Sequence, residues 1–292
     1  MKNLKALVIM MMAGSMLYGC MNKDGFDKTP NGLKYKLHTK KEGKKPQKGD
    51  IMTLGMIYKT DKDSILFSTY TKGSPVKTPM MKPSFVGGIE EGFALLSEGD
   101  SATFLISADS LFEKMFMTKL PSYINKGSYM TFEVKMEKIQ SQKDADEEQK
   151  KEIEKSMTEE HQIIEKYLKD NNITVSPNPS GLYYVQTTAG KGTQADTGKT
   201  VSVNYIGKFV DGKIFDSSVG KKPIEFVLGR GQVIPGWDEG IKLMKAGTKA
   251  TFIIPSNLAY GPRGAKNQHT GEYVIPPFSP LVFEVELVDV KK

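Results

Sequence analysis

The sequence predicts an α+β protein of two similar domains, each an antiparallel half-barrel sheet wrapped over a short helix, joined by a charged helix. Three observations carry that expectation. First, Phe85-Val86-Gly87-Gly88-Ile89-Glu90-Glu91-Gly92 lines up with Val233-Ile234-Pro235-Gly236-Trp237-Asp238-Glu239-Gly240, displaced by 148 residues. Second, apolar and polar residues alternate within both copies, as in Thr200-Val201-Ser202-Val203-Asn204-Tyr205, which is the period of a half-buried strand. Third, Asp144 to Asp170, between the copies, is rich in Glu and Lys and has no Gly or Pro.

In chain order, residues 1–19 read as an export signal: Lys2 and Lys5, an apolar run from Ala6 to Met12, then small residues. That run is too short to span a bilayer as a helix. Leu17-Tyr18-Gly19-Cys20 resembles the lipobox of bacterial lipoproteins, which makes Cys20 the expected lipidation site and mature N-terminus. Cys20 is the only Cys, so no intramolecular disulfide competes for it. Residues 20–30 read as a polar tether and 31–140 as the first domain. In the connecting segment 141–177, Ile153, Met157, Ile164 and Leu168 recur at helical spacing and form one narrow apolar face. This stripe is expected to pack on its own domain; the alternative is a homodimer through the 144–170 helix.

Residues 178–292 form the second domain. Val210-Asp211-Gly212-Lys213 carries the Asp-Gly of a tight hairpin. A short helix is expected from about Trp237 to Met244, with Pro235 and Gly236 closing the preceding strand and Gly247 ending the helix.

Of the 292 residues, 38% are hydrophobic and 26% charged, with a net charge of +7, which suits folded domains with exposed charged faces. No basic stripe interleaved with aromatics points to a nucleic-acid partner; weak attraction to anionic lipid surfaces is the better use of the charge. His38, His161 and His269 lack metal-ligand spacing, so no metal is expected. Gly229 and Gly231 with Gly236 do not make a dinucleotide fingerprint, and no Gly-x-Ser-x-Gly elbow is present. Oxidoreductase and hydrolase chemistry has no support, and no cofactor is expected.

The most informative stretch surrounds the only Trp. Tyr205-Ile206-Gly207, Phe215-Asp216-Ser217, Val233-Ile234-Pro235-Gly236-Trp237, Ala259-Tyr260-Gly261, Ile275-Pro276-Pro277 and Leu281-Val282-Phe283-Glu284-Val285-Glu286-Leu287 follow one another in order. Through these motifs the second domain resembles the FKBP family of peptidyl-prolyl cis–trans isomerases. The resemblance implies a pocket with Trp237 as its floor and Tyr205, Phe215, Phe226, Val233, Ile234, Ile275 and Phe283 as its walls. It makes Asp216 and Tyr260 the polar contacts and the Ile234 N–H the holder of a substrate carbonyl. It further implies isomerisation of X–Pro bonds in unfolded or exported polypeptides within a bacterial cell envelope. The alternative is a non-catalytic peptide-binding holdase.

Two departures qualify the resemblance. Residues 261–274 are longer than the family's compact loop, so Arg263, Lys266 and Tyr273 are expected to shape substrate preference. The first copy has Ile89, Ser68, Gly87 and Phe112 where the second has Trp237, Asp216, Pro235 and Tyr260, and Tyr205 falls near Met56. That copy is expected to be degenerate, with Met80, Met81, Met115 and Met117 serving core packing or an adaptable surface.

Overall fold

The computed structural model describes residues 25–268 and 270–291. The leader, Cys20 and His269 lie outside them. Two compact units part between Glu147 and Glu148.

The first unit contains β1 (Asp27–Lys28), β2 (Lys34–Thr39), β3 (Ile51–Lys59), β4 (Ile65–Ser68), helix α1 (Thr69–Lys72), β5 (Val76–Pro79), α2 (Ile89–Phe93), β6 (Ser101–Ser107), α3 (Ala108–Ser110) and β7 (Tyr129–Gln140). Its antiparallel sheet runs β1-β2-β6-β7-β3-β4, with β5 also on β3. The pairing of Asp27 and Lys28 with Tyr35 and Lys34 puts strand structure inside the stretch expected as tether.

Helix α4 (Gln142–Asp170) follows, starting two residues before the expected helix. Lys143–Glu147, Lys150–Glu154 and Lys155–Glu159 pair along it at 3.8, 3.9 and 3.8 Å. Lys precedes Glu in each, the weaker order, so such pairs add only tenths of a kcal/mol, about 0.2–0.5 at best. Packing supplies the rest. Ile164 is buried against Tyr183, Ile253 and Val282, with Tyr167 and Leu168 beside it. Met157 is exposed and Ile153 partly covered, so of the predicted stripe only Ile164 and Leu168 join that cluster.

The second unit repeats the first. Its strands are β8 (Tyr183–Thr188), β9 (Thr200–Phe209), β10 (Ile214–Ser217), β11 (Ile224–Val227), β12 (Lys249–Ile254) and β15 (Leu281–Lys291), in the order β10-β9-β15-β12-β8 with β11 on β9. A separate small hairpin, β13 (Ala265–Lys266) with β14 (Tyr273–Ile275), occupies the long loop. Strand alternation places Val201, Val203, Ala250, Phe252, Phe283, Val285 and Leu287 on the core face.

Helix α5 (Pro235–Lys242) lies on that face and differs from the expected span. Pro235 opens the helix rather than closing a strand, because its fixed φ and missing N–H suit the first helical position. The helix stops at Lys242, with Leu243 capping, well before Gly247. Two glycines let it sit directly on β12: a Cβ at Gly240 would lie 2.8 Å from the Phe252 ring, and one at Gly236 2.5 Å from Ile254 Cγ2. In the first unit a Cβ at Gly92 would meet the Phe104 ring at 2.5 Å, so the same helix–strand contact recurs.

Candidate functional site

The N-terminus of α5 sets the site. Ile234 caps the helix in an extended conformation, so the chain turns sharply and presents Trp237 to the sheet. The indole is 3% exposed. Tyr205 and Phe283 meet it edge-on, with ring centroids 5.0 and 5.2 Å away, and Phe226 stands tilted at 6.0 Å. Phe215 meets Phe283 edge-on at 5.6 Å. Such T-shaped contacts place positive ring edges against negative faces, each contributing about 0.5–1.5 kcal/mol beyond burial. Burial is graded: Trp237, Phe226, Ile275 and Phe283 are buried, Tyr205, Phe215, Val233 and Ile234 are partly covered, and Tyr260 is 40% exposed. The predicted site residues are therefore assembled as an aromatic cup with a deep floor and a half-open rim.

The polar groups sit at the rim. Tyr205 Oη donates to Asp216 Oδ2 at 2.6 Å, and the Ser217 N–H donates to Oδ1 at 2.8 Å. Asp216, expected as a substrate contact, thus acts within the protein as a brace for Tyr205 and the turn. The Tyr205 N–H donates to Ser218 Oγ at 2.9 Å, and the Ser218 N–H to the Tyr205 carbonyl at 3.0 Å, which locks the strand's position. Burial first, then Asp216, pushes the Tyr205 phenol well above its ordinary range. Burial also raises Tyr260, with the Asp216 charge adding to it. Both hydroxyls therefore remain protonated donors at neutral pH. Among the described residues, neither the Ile234 N–H nor the Trp237 Nε1–H meets a protein acceptor. No cluster of His, Cys, Asp or Glu able to hold a metal occurs among the described residues.

Three contributors escaped the sequence reading. Gly207 keeps the cup clear: a Cβ there would lie 2.8 Å from the rings of Phe215 and Phe283. It stands inside the Tyr205-Ile206-Gly207 motif, which was the available signal. Ser218 brackets Tyr205. Asp238 accepts from the N–H groups of Gly229 (2.7 Å) and Gly231 (3.3 Å), fixing the loop that leads into the cup. The long loop is also more self-contained than expected. Lys266 Nζ lies 4.5 Å from the centre of the Tyr273 ring, so these two side chains pair across their own hairpin.

Strand pairing settles the correspondence of the two copies. Val134 faces Met56 as Val285 faces Tyr205, confirming that match. It also corrects another: Tyr58 pairs with Phe67 as Gly207 pairs with Asp216, so Phe67, not Ser68, stands in place of the carboxylate. The reason is one extra residue between Thr69 and Val76, which shifts the register upstream of it. In the first copy Tyr58 stacks between Phe67 at 5.2 Å and Phe132 at 5.1 Å. An aromatic stack stands where the second copy leaves Gly207 bare.

A concavity of about 600 Å³ lies on the opposite face of the second sheet, lined by Asn204, Ile206, Thr251, Glu284 and Glu286 among others. Its equivalent, about 350 Å³ beside Ile57, Thr103 and Glu133, recurs in the first copy. It belongs to the shared framework, whereas the cup distinguishes the copies.

The family model described as FKBP-type peptidyl-prolyl cis-trans isomerase matches residues 42–137 and 191–288. The chain is 41% identical over 168 residues to a probable FKBP-type isomerase FkpA of Neisseria meningitidis, covering 54% of this chain and 59% of that protein. It is 44% identical over 128 residues to FkpA of Escherichia coli, covering 44% and 43% respectively. Against FKBP53 of Arabidopsis thaliana it is 49% identical over 116 residues, covering 39% and 23%. Each of these curated relatives is thus matched over less than two-thirds of its own length. Among solved structures, FkpA from Escherichia coli aligns with 40% identity and a TM-score of 0.40, covering 50% of this chain and 64% of that one. AtFKBP13 aligns with 42% identity and a TM-score of 0.37, covering 39% and 96%.

Proposed function

Because the chain belongs to the FKBP-type peptidyl-prolyl cis-trans isomerase family, we propose that its second domain accelerates cis–trans exchange of X–Pro bonds in unfolded polypeptides. One observation carries the reading: a buried indole ringed edge-on by Tyr205 and Phe283, with an unengaged Ile234 N–H at the rim.

The chemistry needs no nucleophile, since no covalent bond breaks. Amide resonance sets a rotation barrier of ~18–20 kcal/mol, and uncatalysed exchange takes about 10–100 s. Resonance places negative charge on the carbonyl oxygen, and the twisted amide loses that separation. A water-poor aromatic cup disfavours the planar, charge-separated amide relative to the twisted one. Binding the twisted form more tightly than either planar isomer is the whole requirement. In this reading the prolyl ring sits on Trp237. The Ile234 N–H and Tyr260 hydroxyl grip the flanking peptide carbonyls, while Asp216 holds Tyr205 in the wall.

The test is exchange of an X–Pro peptide with and without the full-length protein. Acceleration that is lost in Trp237→Ala supports the proposal; wild-type exchange no faster than buffer overturns it. Trp237→Ala also opens a core cavity, costing about 3–5 kcal/mol of stability. Tyr260→Phe, at a half-open position, is therefore measured beside it and should lower kcat/KM without unfolding the domain.

The same reading takes exported polypeptides as clients and a lipid anchor at Cys20 as the route to the envelope, supported by the Leu17–Cys20 motif. Incorporation of labelled fatty acid that persists in Cys20→Ala would sink the anchor. A holdase role is favoured by one observation in the first copy, where Val86 and Met117 are 79% and 81% exposed. It expects suppression of client aggregation that survives Trp237→Ala.

A further inference from the structure

Glu160 on α4 is 7% exposed, yet among the described residues its carboxylate pairs with no Lys or Arg. Both oxygens are taken by one residue 96 positions away: the Ser256 N–H donates to Oε1, and Ser256 Oγ–H donates to Oε2 at 2.6 Å. Ser256 opens the short 3₁₀ turn Ser256–Leu258. Its cap position is Pro255, whose side chain has no acceptor for the turn's first N–H groups. Glu160 supplies that acceptor from outside. Ala259 follows, its N–H donating to the Ser256 carbonyl, and then Tyr260 enters the rim. The first copy has Ala108 at the Ser256 position, within the short helix α3, so no equivalent anchor exists there.

We propose that Glu160 is a positioning residue for Tyr260, fixing through Ser256 the turn that aims the Tyr260 hydroxyl into the cup. The role in turnover rests on the isomerase reading, so the experiment carries one readout that does not. In the full chain, Glu160→Ala and Ser256→Ala are made alone and in combination with Tyr260→Ala. Ala at 256 is compatible with the fold, since the first copy carries Ala108 there, so Ser256→Ala keeps the test valid even where Glu160→Ala fails to fold.

The expected result is a loss of kcat/KM of about three- to tenfold for each single variant, and no further loss when Tyr260 is already Ala. Equal losses in both backgrounds would mean a merely structural role and overturn the proposal. The activity-independent readout is acrylamide quenching of the only Trp, Trp237. Quenching should rise in both single variants as the Tyr260 turn loosens. Unchanged quenching sinks the positioning role, whereas an inactive wild type sinks only the isomerase reading.

Discussion

The two copies share nearly everything except the content of one cup. Apart from β1, both sheets run in the same order, and both helices rest on a phenylalanine through a glycine. Both bracket the same strand by a hydroxyl: Thr69 Oγ1 accepts the Met56 N–H at 2.9 Å as Ser218 Oγ accepts that of Tyr205. Both carry a Lys–Glu pair at matching positions, Lys59–Glu133 and Lys208–Glu284. Yet one copy presents an indole, a braced tyrosine and a bare glycine, while the other fills that place with Phe67, Tyr58 and Phe132 in a stack. The comparison teaches that the same framework accommodates two different contents at this place. An aromatic stack stands in the first copy where the second has Gly207 and Asp216, so the sheet itself does not dictate which of the two contents is present.

The sharpest way to break this contrast is a pair of deletions. Trp237→Ala should lower kcat/KM for an X–Pro peptide by at least about tenfold, equivalent to 1.4 kcal/mol of transition-state stabilisation. Ile89→Ala, its counterpart, should leave the full chain's kcat/KM unchanged although it costs about 2–5 kcal/mol of stability. A loss of activity from Ile89→Ala would place function in the first copy and undo the division.

Next comes Gly207→Ala, which moves the second copy one step toward the first. Its new Cβ at 2.8 Å from two rings must push Phe215 or Phe283 aside. Overpacking of this kind costs about 1–3 kcal/mol. Thermal denaturation and the peptide assay should show a lower midpoint and a several-fold lower kcat/KM.

Asp216→Asn should act more weakly. The neutral amide still accepts from Tyr205 but forfeits the charge-assisted component, so kcat/KM should fall by about threefold. Absorbance titration should show the Tyr205 phenol ionising earlier than in the wild type, because one cause of its elevation is gone.

The smallest expectation is an absence of change. Tyr205 and Tyr260 are raised above their ordinary value in the folded state. A raised group contributes stability that is present below the ordinary tyrosine pKa of about 10 and is lost as pH climbs through the folded value. Their hydroxyls should therefore give a flat kcat/KM between about pH 6 and 9, and denaturation midpoints should begin to fall only at strongly alkaline pH. An inflection traced to either tyrosine near neutrality would contradict the geometry of the rim.

Much of this was readable in the chain. The duplication and the alternating strands are legible from register and period, and the cup residues from the ordered motifs that carry the family resemblance. The Phe67–Asp216 correspondence was misread because one extra residue after Thr69 shifts the register, and only pairing partners reveal where that residue sits. Helix α5 starts before the expected Trp237 because Pro235, with its fixed φ and missing N–H, opens a helix as readily as it ends a strand. Gly207 lies within a legible motif, but its role depends on the side chain it lacks and shows only from the rings 2.8 Å from where a Cβ would stand. Glu160 left no trace at all, since a hydrogen bond between residues 96 apart has no periodicity.

The position of the last strand in each sheet has a consequence for biogenesis. Strand β15 lies between β9 and β12, and β7 between β3 and β6. Neither sheet can be completed until its final, central piece has been synthesised, and that piece pairs with strands distant in sequence, a topology that slows folding. Until then two open edges wait for a partner, and the central pieces of both copies carry the same tripeptide: Phe132-Glu133-Val134 in one, Phe283-Glu284-Val285 in the other. Exchange of these pieces is the misassembly such duplicated chains invite. Vectorial synthesis guards against it, because the first copy receives its own centre before the second exists.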